Sequence, residues 1–102
     1  MAKAKVITVC GSLKFQKEMI FWSDQLELDG YCVLSVVYPA KEKADYTEAE
    51  IAQFGRMHFQ RIAMSDGIFV VNVGGYIGES TRLEIEYATK KGKEILYLNS
   101  VD

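Results

Sequence analysis

Four short apolar runs, separated by longer stretches of helical periodicity, constrain this chain more than any other feature. Lys5-Val-Ile-Thr-Val-Cys10, Tyr31 to Val37, Gly67-Ile-Phe-Val-Val-Asn-Val73 and Glu94-Ile-Leu-Tyr-Leu98 are nearly continuous in apolar residues. A strand that does not alternate polar with apolar is covered on both faces, as in a parallel sheet flanked by helices. The intervening segments supply those helices. From about Leu13 to Asp29 the residues Phe15, Met19, Trp22 and Leu26 recur at helical spacing, with Ser12 as a cap and Gly30 as a stop. Thr47-Glu-Ala-Glu50 has the capping-box pattern and opens a helix to about Ser65 that carries Ile51, Phe54, His58 and Ile62 on one face. A third helix starts at Ser80 or Thr81 and ends near Gly92, whereas Pro39 to Tyr46 lacks periodicity and reads as a loop. The order predicts a small flavodoxin- or Rossmann-like α/β fold with a parallel sheet of about four strands and helices on both faces.

The chain has 102 residues, room for one domain over positions 1–102. A net charge of −2 lacks the basic excess of a nucleic-acid-polymer binder. No apolar run is long enough to span a bilayer, and no secretory leader is expected at the N-terminus. Two cysteines, Cys10 and Cys32, sit in apolar strand-like runs, too few for a disulfide framework or a zinc site. The expectation is a cytoplasmic protein with reduced thiols, no metal and no cofactor.

In a parallel α/β sheet, ligands bind beyond the carboxyl ends of the strands, beside helix N-termini. Two loops meet that description: Gly11-Ser-Leu-Lys14 after the first strand and Gly74-Gly-Tyr-Ile-Gly-Glu-Ser80 after the third. The second can aim backbone N–H groups at an anion, or serve simply as a tight turn. In the first, Ser12 and Lys14 are candidate anion contacts, with a plain capping role for Ser12 as the alternative.

Glu84 stands out on the third helix. At about 100° per residue, with Leu83 at zero, Tyr87 falls near ~40°, Glu84 near ~100° and Ala88 near ~140°, which places a carboxylate inside the apolar arc. Glu86 falls on the outer side, where an ion pair with Lys90 accounts for it. An inward carboxylate in the first turn of a helix has two explanations. It can bond loop amides and order the turn, or it can attack an electrophilic carbon. His58, the sole histidine, is either a satisfied core residue or a proton-transfer group near the strand ends. Asp66 lies at the opposite edge and reads as a turn residue. A cysteine-phosphatase loop at Cys10 is excluded, because Gln16 stands where the closing arginine would be needed.

Together, Cys10-Gly-Ser12, Ser65-Asp-Gly-Ile-Phe-Val-Val-Asn72, Gly78-Glu-Ser-Thr-Arg-Leu-Glu-Ile-Glu-Tyr-Ala88 and Gly92-Lys93 resemble the nucleoside 2-deoxyribosyltransferase family. That family includes the 2′-deoxynucleoside 5′-monophosphate N-glycosidases, and the resemblance covers nearly the whole chain. It implies that Glu84, the glutamate of the Glu-x-x-Tyr-Ala segment, attacks C1′ of a deoxyribose and expels the base. It also implies a substrate site formed by Gly11, Ser12, Lys14, Asn72, Gly78 and Ser80. The ligand would be a small nucleoside or nucleotide, and the assembly a homodimer or larger homo-oligomer. This sequence departs from the family at His58, where an aspartate is usual, and at Lys14, where the monophosphate branch has arginine. The family also continues past the last strand into a segment serving the neighbouring subunit's site, whereas this sequence stops at Asp102. Gly74-Gly75 and Thr81 to Glu84 partly echo the ribosyl-monophosphate hydrolases of the lysine-decarboxylase-like group, at different spacing. A nucleotide-binding module without turnover and a subunit-interaction domain are the non-enzymatic alternatives.

Overall fold

A computed structural model describes residues 3–101. Four strands, β1 (Val6–Cys10), β2 (Cys32–Leu34), β3 (Gly67–Val70) and β4 (Glu94–Tyr97), form one all-parallel sheet in the order β2-β1-β3-β4. Three helices connect them: α1 (Gln16–Leu28), α2 (Glu48–Met64) and α3 (Glu79–Lys90). The expected α/β architecture is therefore the observed one.

Period-two alternation along the central strands divides the core in two. Ile7, Val9, Phe69 and Val71 turn to one face, where Met19 and Leu26 of α1 close over them with Phe15 and Trp22 at the margin. Cys10, Ile68 and Val70 turn to the other, against Ile62 of α2 and Ala88 of α3. Thr8 shares that second face, its hydroxyl tied to Ser65 Oγ and the Arg61 carbonyl. The helical stripe read on α1 is thus the buried one.

Several boundaries move. Ser12 does not start the long helix. It caps a 3-10 turn over Leu13–Phe15, and α1 follows from Gln16. The second strand shrinks from Tyr31–Val37 to three residues, because β2 is an edge strand that leaves the sheet once its register with Val6, Ile7 and Thr8 is used. The third strand stops at Val70, since Val73–Gly75 coils into a 3-10 turn with Gly74 at φ 63° and Gly75 at φ 85°, a left-handed conformation that favours glycine. The third helix begins at Glu79 with Gly78 as its N-cap residue, slightly ahead of Ser80 or Thr81. The capping box is present: Thr47 Oγ1 accepts from Glu50 N–H at 3.0 Å, and Glu50 Oε1 accepts from Thr47 N–H at 2.9 Å. Asp66 has the turn role expected of it, accepting the Val6 N–H at 2.7 Å.

On α2 only part of the apolar stripe is core. His58 and Ile62 are buried, whereas Ile51 and Phe54 remain about two-fifths exposed. Length accounts for this. Seventeen helical residues span about 25 Å, while a five-residue strand spans about 16 Å. Since α2 leads down into the start of β3, its N-terminal half projects beyond the carboxyl ends of the strands. The projecting half forms a wall.

Candidate functional site

A cleft of about 410 Å³ opens at the carboxyl ends of β1 and β3. In a 2-1-3-4 sheet this is where strand order reverses, and crevices form there because the flanking loops diverge to opposite faces. Gly11 and Ser12 follow β1 into the cleft, Gly78 and Ser80 bring the start of α3, and Ile51 and Phe54 supply the apolar wall from α2. His58 and Glu84 form the inner end.

Gly11 is dictated by packing. A Cβ there would lie 3.1 Å from both Met19 Sδ and the Val71 carbonyl oxygen, a tight contact that glycine avoids where the loop turns over the sheet edge. Ser12 is a cap in this structure, its Oγ accepting the Lys14 N–H at 3.4 Å, while also lining the cleft. The first turn of α3 presents N–H groups with no side-chain cap at Gly78, which leaves donors for an acceptor in the cleft.

Glu84 sits in the second turn of α3, facing inward with Thr81, Ile85 and Ala88. Leu83, placed on that arc by the wheel, is instead exposed, because the helix meets the sheet through the 81–85–88 edge. Glu86 faces solvent as expected. Its partner is Arg82, one turn earlier, rather than Lys90, and Arg82 also binds Glu79 at 2.6 Å. Glu84 is different in kind: its side chain is 15% exposed and its Oε1 is fully enclosed without a hydrogen-bond partner. No loop amide donates to that oxygen, so the turn-ordering explanation does not account for it. Burial pushes its carboxyl up to about 7, opposed in part by the neighbouring Cys10 thiol.

His58 and Cys10 enclose that oxygen. His58 Nε2 lies 3.6 Å from Glu84 Oε1 and 3.5 Å from Cys10 Sγ, the first a little beyond hydrogen-bonding range. Burial, reinforced by the Arg61 guanidinium, lowers the imidazole to about 4. Arg61 Nη1 is 3.3 Å from His58 Nδ1. A guanidinium can only donate, so Nδ1 is the acceptor and the neutral ring carries its proton on Nε2, toward Glu84. The Cys10 thiol is pushed well above its ordinary range by burial and by the adjacent Glu84, which makes it a neutral wall and not a nucleophile.

Cys10, His58 and Glu84 also bring three metal-ligand atoms within 4.8 Å of one another. For His58 to coordinate through Nε2, that nitrogen would have to shed its proton to Nδ1, where Arg61 stands. The donor set fits zinc by type, and the Arg61 contact opposes it.

Two expected site residues lie elsewhere. Asn72 is wholly buried and engaged by Asn99: its Nδ2 donates to the Asn99 carbonyl at 3.0 Å and its Oδ1 accepts the Asn99 N–H at 2.9 Å. It fastens the end of β3 to the chain after β4, and its buried side chain does not line the cleft. Lys14 does not line the cleft. Its ammonium rests 3.3 Å from the centroid of the Tyr76 ring and 5.3 Å from that of Phe15, a cation–π arrangement at the rim. Conversely, Cys10, weighed from the sequence only as a phosphatase nucleophile, and Arg61 and Tyr76, given no role there, belong to the site or its support. Period-two placement of Cys10 with Thr8 on the α2 face was the available signal for the first.

The fold and cleft define a small parallel α/β protein with an apolar-walled cleft at its switch point and a buried carboxyl at the inner end. A scan against protein-family models finds no match, and a search of curated proteins finds none either. Among the described residues, no helix is long and apolar enough to cross a membrane.

Proposed function

We propose that this protein cleaves or transfers the N-glycosidic bond of a 2′-deoxynucleoside or its 5′-monophosphate, with Glu84 as the nucleophile. One observation carries the reading: a carboxylate oxygen without a partner, enclosed at the inner end of a cleft that otherwise offers an apolar wall and a helix N-terminus. The wall of Ile51 and Phe54 suits a base, and the α3 N-terminus suits a 5′-phosphate or sugar hydroxyl. The resemblance to the nucleoside 2-deoxyribosyltransferase family supports the same residue.

In this mechanism, Glu84 attacks C1′, a C1′–O ester bond forms, and the C1′–N bond breaks with its electron pair passing to the base. The base nitrogen takes a proton, for which protonated His58 is the candidate donor. Burial makes that imidazolium a strong acid but scarce at neutral pH. Water or a second base then attacks C1′ and releases the carboxylate, in the manner of a retaining glycosidase. Two free thiols suit a reducing cytoplasm. The exposed Met57 and Leu83 suit a homodimer, which light scattering would detect.

Chromatography after incubation with a panel of 2′-deoxynucleosides and their 5′-monophosphates, with and without an acceptor base, tests the proposal. Base release or exchange by the wild type, absent in Glu84→Ala, is expected. No product from any substrate, with ligand-induced stabilisation that persists in Glu84→Ala, would replace it with a nucleotide-binding module without turnover.

A further inference from the structure

We infer that Arg61 is a positioning residue that fixes the His58 tautomer and thereby keeps an N–H pointed at the Glu84 carboxyl; its catalytic consequence rests on the reading above. Three observations support this. Arg61 Nη1 lies 3.3 Å from Nδ1, the ring nitrogen facing away from Glu84. His58 Nε2 faces Glu84 Oε1 at 3.6 Å and Cys10 Sγ at 3.5 Å. Glu84 Oε1 is buried and has no hydrogen-bond partner.

An imidazole with Nδ1 protonated would present two donors to each other at Arg61 and a bare lone pair to a carboxylate at Glu84. The contact at Arg61 would be repulsive, and so would that at Glu84 once its carboxyl ionises. With Nδ1 accepting, both become attractive, and the neutral ring donates to Glu84 when the carboxyl ionises. Arg61 reaches this position from the last turn of α2, one helical turn beyond His58 (i,i+3). Its backbone carbonyl is held by Thr8 Oγ1 at 3.1 Å and Ser65 Oγ at 2.7 Å, which anchors this turn to β1. Arg61 does not itself line the cleft, and it meets the site at the His58 ring, so its influence passes through that ring.

His58 is the only histidine in the chain, so ring-nitrogen NMR reports it without ambiguity. In the 15N-labelled wild type, at a pH where the ring is neutral, Nδ1 is expected to resonate as unprotonated and Nε2 as protonated. Arg61→Lys, still a donor, is expected to keep that pattern. Arg61→Glu, which can only accept, is expected to reverse it. A wild type protonated at Nδ1 overturns the inference, as does a folded Arg61→Glu with the wild-type pattern. Should Arg61→Glu fail to fold, the wild-type and Arg61→Lys spectra still decide, because either protonated at Nδ1 refutes it. For base release, Arg61→Met is expected to shift the pH profile, because it removes the guanidinium that helps lower the His58 imidazolium, whereas Arg61→Lys is expected to keep the wild-type profile. Absence of base release from the wild type would count against the proposed function while leaving the tautomer result intact.

Discussion

Glu84 and His58 give opposite pH dependence to folding, and removing either one exposes the other. Glu84 titrates at about 7 in the folded protein against an ordinary 4.5. Between those values the folded state holds a proton that the unfolded state has lost, so stability is present below pH 4.5 and falls as pH rises through 7. His58 titrates at about 4 against an ordinary 6.5. There the unfolded state holds the extra proton, so stability is present above pH 6.5 and falls as pH drops through 4. Each effect amounts to about 3 kcal/mol, at 1.36 kcal/mol per pH unit. Over the shared interval their slopes cancel, and the pair leaves wild-type stability nearly flat between pH 4.5 and 6.5. Glu84→Gln keeps the side-chain shape and removes one slope. Urea denaturation from pH 4 to 7.5 should show its stability, relative to wild type, rising by about 3 kcal/mol from acid to neutral, on top of a constant offset from the buried amide. A difference between the two proteins that does not change with pH would refute this reasoning, because Glu84 would then titrate as an ordinary carboxyl.

Other consequences follow from the same geometry. If ionised Glu84 and protonated His58 form the reactive pair, kcat/KM for base release is level between about pH 4 and 7 and falls tenfold per unit above 7; a rise through pH 7 to a plateau would instead mean that no protein acid is needed. Thr47→Ala removes the capping box and should cost about 1 kcal/mol in urea denaturation. Gly67→Ala places a Cβ 2.7 Å from the Glu94 carbonyl oxygen, within the β3–β4 pair, and should cost about 1–3 kcal/mol; an unchanged midpoint would show that the strands separate freely there.

How much of this was legible depends on whether a feature is periodic or convergent. Strands apolar on both faces and the α1 stripe predict burial from spacing alone, and the observed core follows them. Boundaries that depend on neighbours do not show in spacing. Tyr31–Val37 has the composition of a full strand, yet β2 stops after Leu34 because it is an edge strand with one partner. The same holds at the site. Glu84 was visible because a carboxylate interrupts an apolar arc. Asn72 looked equally available at the end of β3, but its partner Asn99 is 27 residues away and only the fold joins them. Cys10 and His58 meet across 48 residues, and Arg61 becomes informative only once His58 Nδ1 is known to face it.

Covalent capture at Glu84 tests the central proposal most directly. Wild-type protein and Glu84→Gln would be mixed with a 2′-deoxynucleoside or 5′-monophosphate, quenched in acid within the first turnovers, and weighed intact and after proteolysis. The account predicts a deoxyribosyl adduct on the wild-type peptide containing Glu84, accompanied by free base, and neither from Glu84→Gln. Base release by Glu84→Gln at the wild-type rate, or an adduct on any other side chain, would contradict it.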